Sequence, residues 1–400
     1  MKSFKDLGLS LDVIKNLEVL NFKEPTPIQS EAIPVALQGL DILGTAQTGT
    51  GKTGAYSIPL ISKILNDSEV HGLIMLPTRE LAAQVYKAVK EFIGKKNINM
   101  ALLIGGEEMG KQFKQLKSFP RIVIGTPGRI NDHLDRKTLK LDNTNFVVLD
   151  EVDRMLDMGF GIQLEEIMRR IKKVKQTLMF SATLPNEITK LAAKYLNDPV
   201  RISVGSTRAP AQNLKQSHIK ISDSEKYPRL MQEIADRTGS IIIFVKTKRS
   251  ADDMARKLKD SSIYAEALHG DLRQTRRNKV VESFRKQKYR ILVATDVASR
   301  GLDIPHIEHV INYDLPQCPE DYIHRIGRTA RAGAEGHALS FLSNADSAKW
   351  RAIQILLNPD AVQPPSNNPG TKKKSSFSPL NKKNSAGKVP FWQLRKKRSA

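Results

Sequence analysis

The chain has 400 residues, 40% of them hydrophobic and 26% charged, which fits a globular protein of two to three domains, each large enough for its own core. Its formal net charge of +22 points to a polyanionic partner, most simply nucleic acid, with solubility or unspecific stickiness as the plainer reading. A single cysteine, Cys318, excludes a disulfide framework and a Cys-based zinc site; no apolar run nears the length of a membrane span and the N-terminus lacks a signal-peptide core, so the expected location is intracellular, reducing and cytoplasmic, with no membrane partner.

In chain order, Leu7, Leu9, Leu11, Ile14, Leu17 and Leu20 predict a helix that begins near Ser10, a good N-cap. In the segment 21–29, NFKEPTPIQ, two prolines bracket a threonine and set a rigid turn, after which 28–37 can continue as a helix. Gln29 offers a donor and an acceptor that suit the edge of an adenine, with Phe4 or Phe22 to stack on the base. Taken alone, Gln29 reads more simply as a helix-surface residue.

Residues 41–44 read as a short strand end, and 54–65 as a helix with apolar residues at helical spacing. Between them lies AQTGTGKT, which reads as a phosphate-binding loop. Ala46, Gln47, Thr48, Gly49, Thr50 and Gly51 let backbone N–H groups close around an anion, and the helix N-terminus adds its partial positive charge. Lys52 would reach the β- and γ-phosphates of ATP, and the Thr53 hydroxyl would ligate Mg²⁺. Ala46 stands where the usual pattern has Gly. An ordinary Gly/Thr-rich turn is the plainer reading of this octet.

Apolar runs at 72–76, 101–104, 121–124, 146–149 and 177–180 alternate with helical segments. They predict a parallel sheet covered on both faces, with ligands beyond the carboxyl ends of the strands. The polar motifs 77–82, 105–106, 126–129, 150–153 and 181–183 all fall at those ends. Asp150 can hold Mg²⁺, partly through water, and Glu151 can orient and deprotonate the water that attacks the γ-phosphate. A helix-start cluster favoured by the macrodipole is the alternative; a phosphate loop in the same sheet favours the catalytic reading.

The polar stretch 206–213 reads as a linker that separates a first domain, 1–205, from a second, 214–358. Further strands are expected at 241–245, 263–268, 290–294, 310–313 and 338–342. The second unit has no Gly-Lys-Thr loop but carries HRIGRTAR from His324. The spacing of three predicts that Arg325, Arg328 and Arg331 share one helical face. Three guanidiniums there repel one another unless an anion joins them, as an arginine-finger site would when the domains close on ATP. A solvated basic face is the simpler reading when the first domain is ignored. From 359 to 400, Pro, Asn, Ser and Lys dominate. This basic tail should be disordered alone and bind nucleic acid non-specifically, with Phe391 and Trp392 able to stack on bases.

From Phe4 to about residue 345, these motifs resemble, in order, those of the bacterial-type DEAD-box ATP-dependent RNA helicases. The resemblance implies an α/β fold of two tandem RecA-like parallel-sheet domains and an RNA-dependent ATPase that locally unwinds or remodels RNA with ATP and Mg²⁺. It implies that Phe4 and Phe22 pack around adenine, that Gln29 reads it, and that Gly301 and Asp303 serve the nucleotide, Asp303 at the ribose. Lys52, Asp150 and Glu151 keep the roles above, and Arg328 and Arg331 are the fingers. Ser181, Thr183, His324 and Arg325 would couple nucleotide state to domain closure. Sequence-independent RNA contacts would come from Pro77, Thr78, Arg79, Gly106, Thr126, Pro127, Gly128, Arg129, Gln274, Arg277, Thr295, Asp296 and Arg300. An ATP-gated RNA clamp or chaperone with weak helicase activity, and a DNA helicase, are the rival readings. The chain departs from the family pattern at Val152, where Ala gives the family its name, and at Asn21 and Ala330, where Gly is usual. Val152 adds two methyl groups at a packed position, a potential overpacking of about 1 kcal/mol.

Overall fold

In the computed structural model, which describes residues 3–46, 49–172, 176–204, 213–296, 304, 306–330 and 334–358, the apolar runs become strands buried on both faces. The first sheet has seven parallel strands in the order β3-β4-β2-β5-β6-β1-β7. They are β1 (Ile42–Thr45), β2 (Gly72–Met75), β3 (Met100–Leu103), β4 (Ile122–Gly125), β5 (Phe146–Leu149), β6 (Gln176–Ser181) and β7 (Val200–Ser203). Alternate side chains feed two cores. Phe146, Val148, Leu178 and Phe180 point to one, Val147, Leu149 and Met179 to the other. The period of two explains why these strands look continuously apolar.

The second sheet has six parallel strands in the order β10-β11-β9-β12-β13-β8. They are β8 (Leu214–Lys220), β9 (Ser240–Phe244), β10 (Ala265–Leu268), β11 (Ile291–Ala294), β12 (Ile307–Asn312) and β13 (Gly336–Leu342). Ile241 and Ile243 face one core, Ile242 and Phe244 the other. Two strands were not expected from the sequence, β7 and β8. Both lie at sheet edges and are largely exposed, so neither carries a continuous apolar run. The expected linker, Asn213 excepted, and the tail from 359 lie outside the described residues.

Helix boundaries follow local chemistry. Ser10 is the N-cap of the helix Leu11–Val19. Thr26 precedes the helix Pro27–Leu37, and its N–H donates to Gln29 Oε1 at 3.0 Å. Asn21 and Ala330 take left-handed backbone, φ 59° and 56°, at the two places where the family pattern has glycine. One expectation is corrected. The helix Pro319–Ile326 ends at Gly327, so Arg325 is its last basic residue and Arg328 follows in a turn. Arg325, Arg328 and Arg331 therefore do not share a helical face, and Arg331 lies outside the described residues. Among those residues no helix is long and apolar enough to cross a membrane.

Candidate functional site

β1 delivers the chain to Ala46, which is fully buried and whose N–H donates to Ser181 O at 3.2 Å. The turn ends at Gly51, φ 95°, ahead of the helix Lys52–Asn66. A Cβ on Gly51 would stand 2.7 Å from both Gln29 Nε2 and Thr26 Oγ1, so this position needs glycine for space as well as for conformation. Gln29 is buried, and its Nε2 donates to Gly51 O at 3.0 Å. It thus caps its own helix and braces the loop. Lys52 Nζ donates to Ala46 O at 2.9 Å and lies 4.0 Å from Asp150 Oδ1. Gly49 is exposed, while Thr50 and Thr53 are half-buried; Gln47 and Thr48 are outside the described residues. Phe4 is buried and meets Phe22 edge-on at 6.3 Å, and Phe22 meets Phe92 at 5.4 Å. Phe22 is the half-buried ring of the first pair.

Asp150 and Glu151 follow β5 and are almost wholly buried. Asp150 Oδ1 accepts the Glu151 N–H at 2.9 Å and Oδ2 accepts the Tyr56 hydroxyl at 3.1 Å. Burial pushes the Asp150 pKa up to about 6, with Lys52 working against it. Glu151 has φ 53° and ψ 50°, a region uncommon for residues other than glycine. Its Oε2 lies 3.5 Å from Arg154 Nε and accepts no hydrogen bond. Burial works to raise its pKa, but Arg154 first, then Lys52 and Arg328, hold it below the usual carboxylate range. The result is an ionised, water-poor carboxylate, as a general base requires.

A hard divalent cation takes oxygen donors, and a buried carboxylate whose charge is disfavoured by desolvation gains from one. The donor set here fits Mg²⁺ in the manner usual for nucleotide sites. Among the described residues no group of three or more His, Cys, Asp or Glu could hold a metal, so such an ion would rely on one carboxylate, a hydroxyl and the nucleotide's own phosphates.

Asp153 closes the turn. Its Oδ2 accepts the N–H groups of Ala182 and Thr183 at 3.0 Å each and the Thr183 hydroxyl at 3.1 Å. Ser181 Oγ donates to Thr183 O at 2.6 Å. Asp153 therefore ties the turn after β5 to the end of β6.

The second lobe brings His324 and Arg328, both buried. Arg328 Nε donates to His324 O at 3.2 Å, and its charge is felt at Glu151. Burial, then Arg154, pushes the His324 pKa down to about 4, so the ring is neutral at pH 7. Arg325 is satisfied internally. It donates to Asp296 Oδ1 and Oδ2 at 2.5 and 2.7 Å, to Asn312 Oδ1 at 3.1 Å and to Asp314 O at 2.6 Å, and lies over the Phe244 ring at 4.8 Å. Arg300, Gly301, Asp303 and Arg331 are outside the described residues.

The expected RNA-contact loops meet around a cavity of about 380 Å³, lined by Pro77, Thr78, Arg79, Thr126, Gly128 and Arg129 among others. Thr78 and Thr126 precede helices, Arg79–Ile93 and Pro127–Asp135, so helix N-termini border this cavity. Gly106, φ 79°, packs its backbone against Gln274. Gln274 and Arg277 bridge the lobes. Arg79 Nη1 donates to Gln274 Oε1 at 3.1 Å, Gln274 Nε2 to Glu80 Oε1 at 3.1 Å, and Arg277 Nη2 lies 2.7 Å from Glu80 Oε1. Thr295 is buried with its N–H on Leu268 O.

Four further residues emerge from the geometry. Tyr56 reads in the sequence as one more apolar position of its helix, yet its hydroxyl reaches Asp150. Arg154 is fully buried beside Glu151, at an i,i+3 spacing that ion pairs favour. Met158 and Phe160 line the cavity next to Arg129, where nothing in their spacing signals it.

Comparison with known proteins agrees with this layout. The family model for the DEAD/DEAH box helicase matches residues 26–191, and that for the helicase conserved C-terminal domain matches 225–333. The chain is 42% identical over 356 residues to the DEAD-box ATP-dependent RNA helicase CshA of Bacillus cereus, covering 88% of this chain and 68% of that protein. Among solved structures, S. cerevisiae Dbp5 bound to RNA and ADP BeF3 superposes with a TM-score of 0.82 at 32% identity, covering 91% of this chain and 95% of that one. A DEAD box protein from Methanococcus jannaschii scores 0.52 at 40% identity, covering 89% and 97%. With the phosphate loop, the buried carboxylates and the second lobe's arginines in family order, and a relative at this identity over most of the length, the chain belongs to the DEAD-box ATP-dependent RNA helicase family.

Proposed function

We propose that the chain is an RNA-dependent ATPase that uses ATP to open short RNA duplexes or remodel RNA–protein contacts locally. The observation that carries this reading is Glu151. It is buried, with Arg154 Nε of its own lobe 3.5 Å from Oε2 and the charge of Arg328 from the other lobe acting on it, so both lobes bear on the hydrolytic site.

Phe22, backed by Phe4, flanks the adenine and Gln29 reads its edge. Lys52 supplies charge for the β- and γ-phosphates, and Thr53 and Asp150 would hold Mg²⁺, Asp150 partly through water. When bound, Mg²⁺ neutralises phosphate charge and makes phosphorus more electrophilic. Glu151 orients the attacking water and takes its proton. Arg328, with Arg331, stabilises the charge of the transferred phosphoryl group. Gly301 and Asp303 serve the nucleotide, Asp303 at the ribose. Asp153, through Ser181 and Thr183, ties the catalytic turn to β6, and His324 and Arg325 brace the second lobe's side.

RNA runs over the Pro77–Arg79 turn, Gly106, Thr126, Pro127, Gly128 and Arg129, and on the second lobe over Thr295, Asp296 and Arg300, with Gln274 and Arg277 closing the lobes beside it. Amides, hydroxyls and guanidiniums suit phosphates and sugars rather than base edges, so sequence preference is small. The basic stretch 359–400 adds salt-dependent affinity. A single cysteine suits the reducing cytoplasm, where we place the activity.

The test is strand displacement from a short labelled RNA duplex in excess over protein. Multiple turnovers are expected with ATP, and none with ADP or with Glu151→Gln. Wild-type turnover by Glu151→Gln would remove Glu151 from the hydrolytic role on which this reading rests, a single turnover by the wild type would favour an ATP-gated clamp, and equal separation of DNA would remove the RNA specificity.

A further inference from the structure

We propose that the Tyr56 hydroxyl is a positioning group of the Mg²⁺ site, holding the Asp150 carboxylate in the arrangement that receives the cation. The inference rests on the assignment of Asp150 and Thr53 as the residues that hold Mg²⁺.

Tyr56 stands one helical turn after Thr53 on the helix Lys52–Asn66 and is fully buried. Its hydroxyl donates to Asp150 Oδ2 at 3.1 Å. An ionised carboxylate only accepts, so the one phenol proton belongs to Asp150. The Asp150 carboxylate cannot rotate, because Tyr56 fixes Oδ2 and the Glu151 N–H fixes Oδ1 at 2.9 Å.

The phenol is itself held in place. Its ring packs on Phe180 with centroids 5.6 Å apart. Phe180 in turn fills the space above Gly44, where a Cβ would stand 2.5 Å from the ring. A phenylalanine here would keep the packing and remove only the link. Partners of metal-holding groups tune affinity about 10- to 100-fold.

The test compares wild type and Tyr56→Phe, as full chains, in equilibrium titrations with a fluorescent ADP analogue at increasing Mg²⁺. Without Mg²⁺ the two should bind the analogue alike. The Mg²⁺ concentration for half-maximal tightening should rise about tenfold in Tyr56→Phe. ATP hydrolysis should lose kcat at fixed Mg²⁺ and recover as Mg²⁺ is raised, with KM for ATP unchanged at saturation. Superimposable Mg²⁺ curves overturn the proposal, as does an equal loss of affinity with and without Mg²⁺, which a distorted pocket would give. If wild-type binding itself ignores Mg²⁺, it is the assignment of Thr53 and Asp150 that fails, and the proposal falls with it.

Discussion

Val152 sits between two catalytic-turn carboxylates and is fully buried in the core that includes Met155, Leu149 and Leu164. Val152→Ala should therefore lower stability by about 1.5 kcal/mol, two methyl groups plus a small cavity. Denaturant unfolding checks this, and a gain in stability would mean the site is overpacked. At this scale the phosphate loop was legible because anion binding demands Gly, Lys and Thr in a fixed order. Tyr56 was not, because a phenol in an apolar helical stripe looks like any core aromatic until its hydroxyl is seen on Asp150. Arg154 was missed for a related reason. A basic residue in a helix normally faces water, and only the buried Glu151 beside it explains why this one does not.

The helix Pro319–Ile326 shows what burial does to an element's pH response. His324 is buried on it, and its pKa is pushed from 6.5 to about 4 by desolvation and then by Arg154. The unfolded chain binds that proton more readily, so this contribution to stability is whole above about pH 6.5 and lost as pH falls towards 4. Between pH 7 and pH 5 the protein should lose about 2 kcal/mol through this one group. His324→Gln cannot titrate and should remove that part of the slope. Denaturation of both proteins at the two pH values measures the difference, and parallel losses would contradict the assignment. Strands buried on both faces were readable from apolar runs alone, whereas β7 and β8 were not, since an edge strand with polar exposed residues lacks the run. The end of this helix was also misread. Arginines at spacing three suggest a face, but Gly327 stops the helix before the second of them.

The whole molecule is set by contacts that sequence cannot announce. Arg79 meets Gln274 across 195 positions, and Glu80 meets Arg277 with both side chains about nine-tenths buried. Removing one partner of such a pair leaves the other charge buried and costs about 3–5 kcal/mol. Each lobe has its own cores, so the cost should fall on lobe closure. Arg277→Ala should reduce RNA-stimulated ATP hydrolysis at least about tenfold, through weaker apparent RNA affinity, while leaving the thermal unfolding of the lobes nearly unchanged. A pair of fluorophores, one on each lobe, would report the lost closure directly; unchanged closure would show that the bridge is incidental.

The most direct test of the central claim is steady-state ATP hydrolysis with and without single-stranded RNA, with Glu151→Gln alongside. Strong stimulation by RNA, abolished in Glu151→Gln, is the predicted result, and it would show that Val152 leaves ATP and RNA coupled. A low rate indifferent to RNA, with RNA still bound, would contradict the account and leave an RNA clamp in its place.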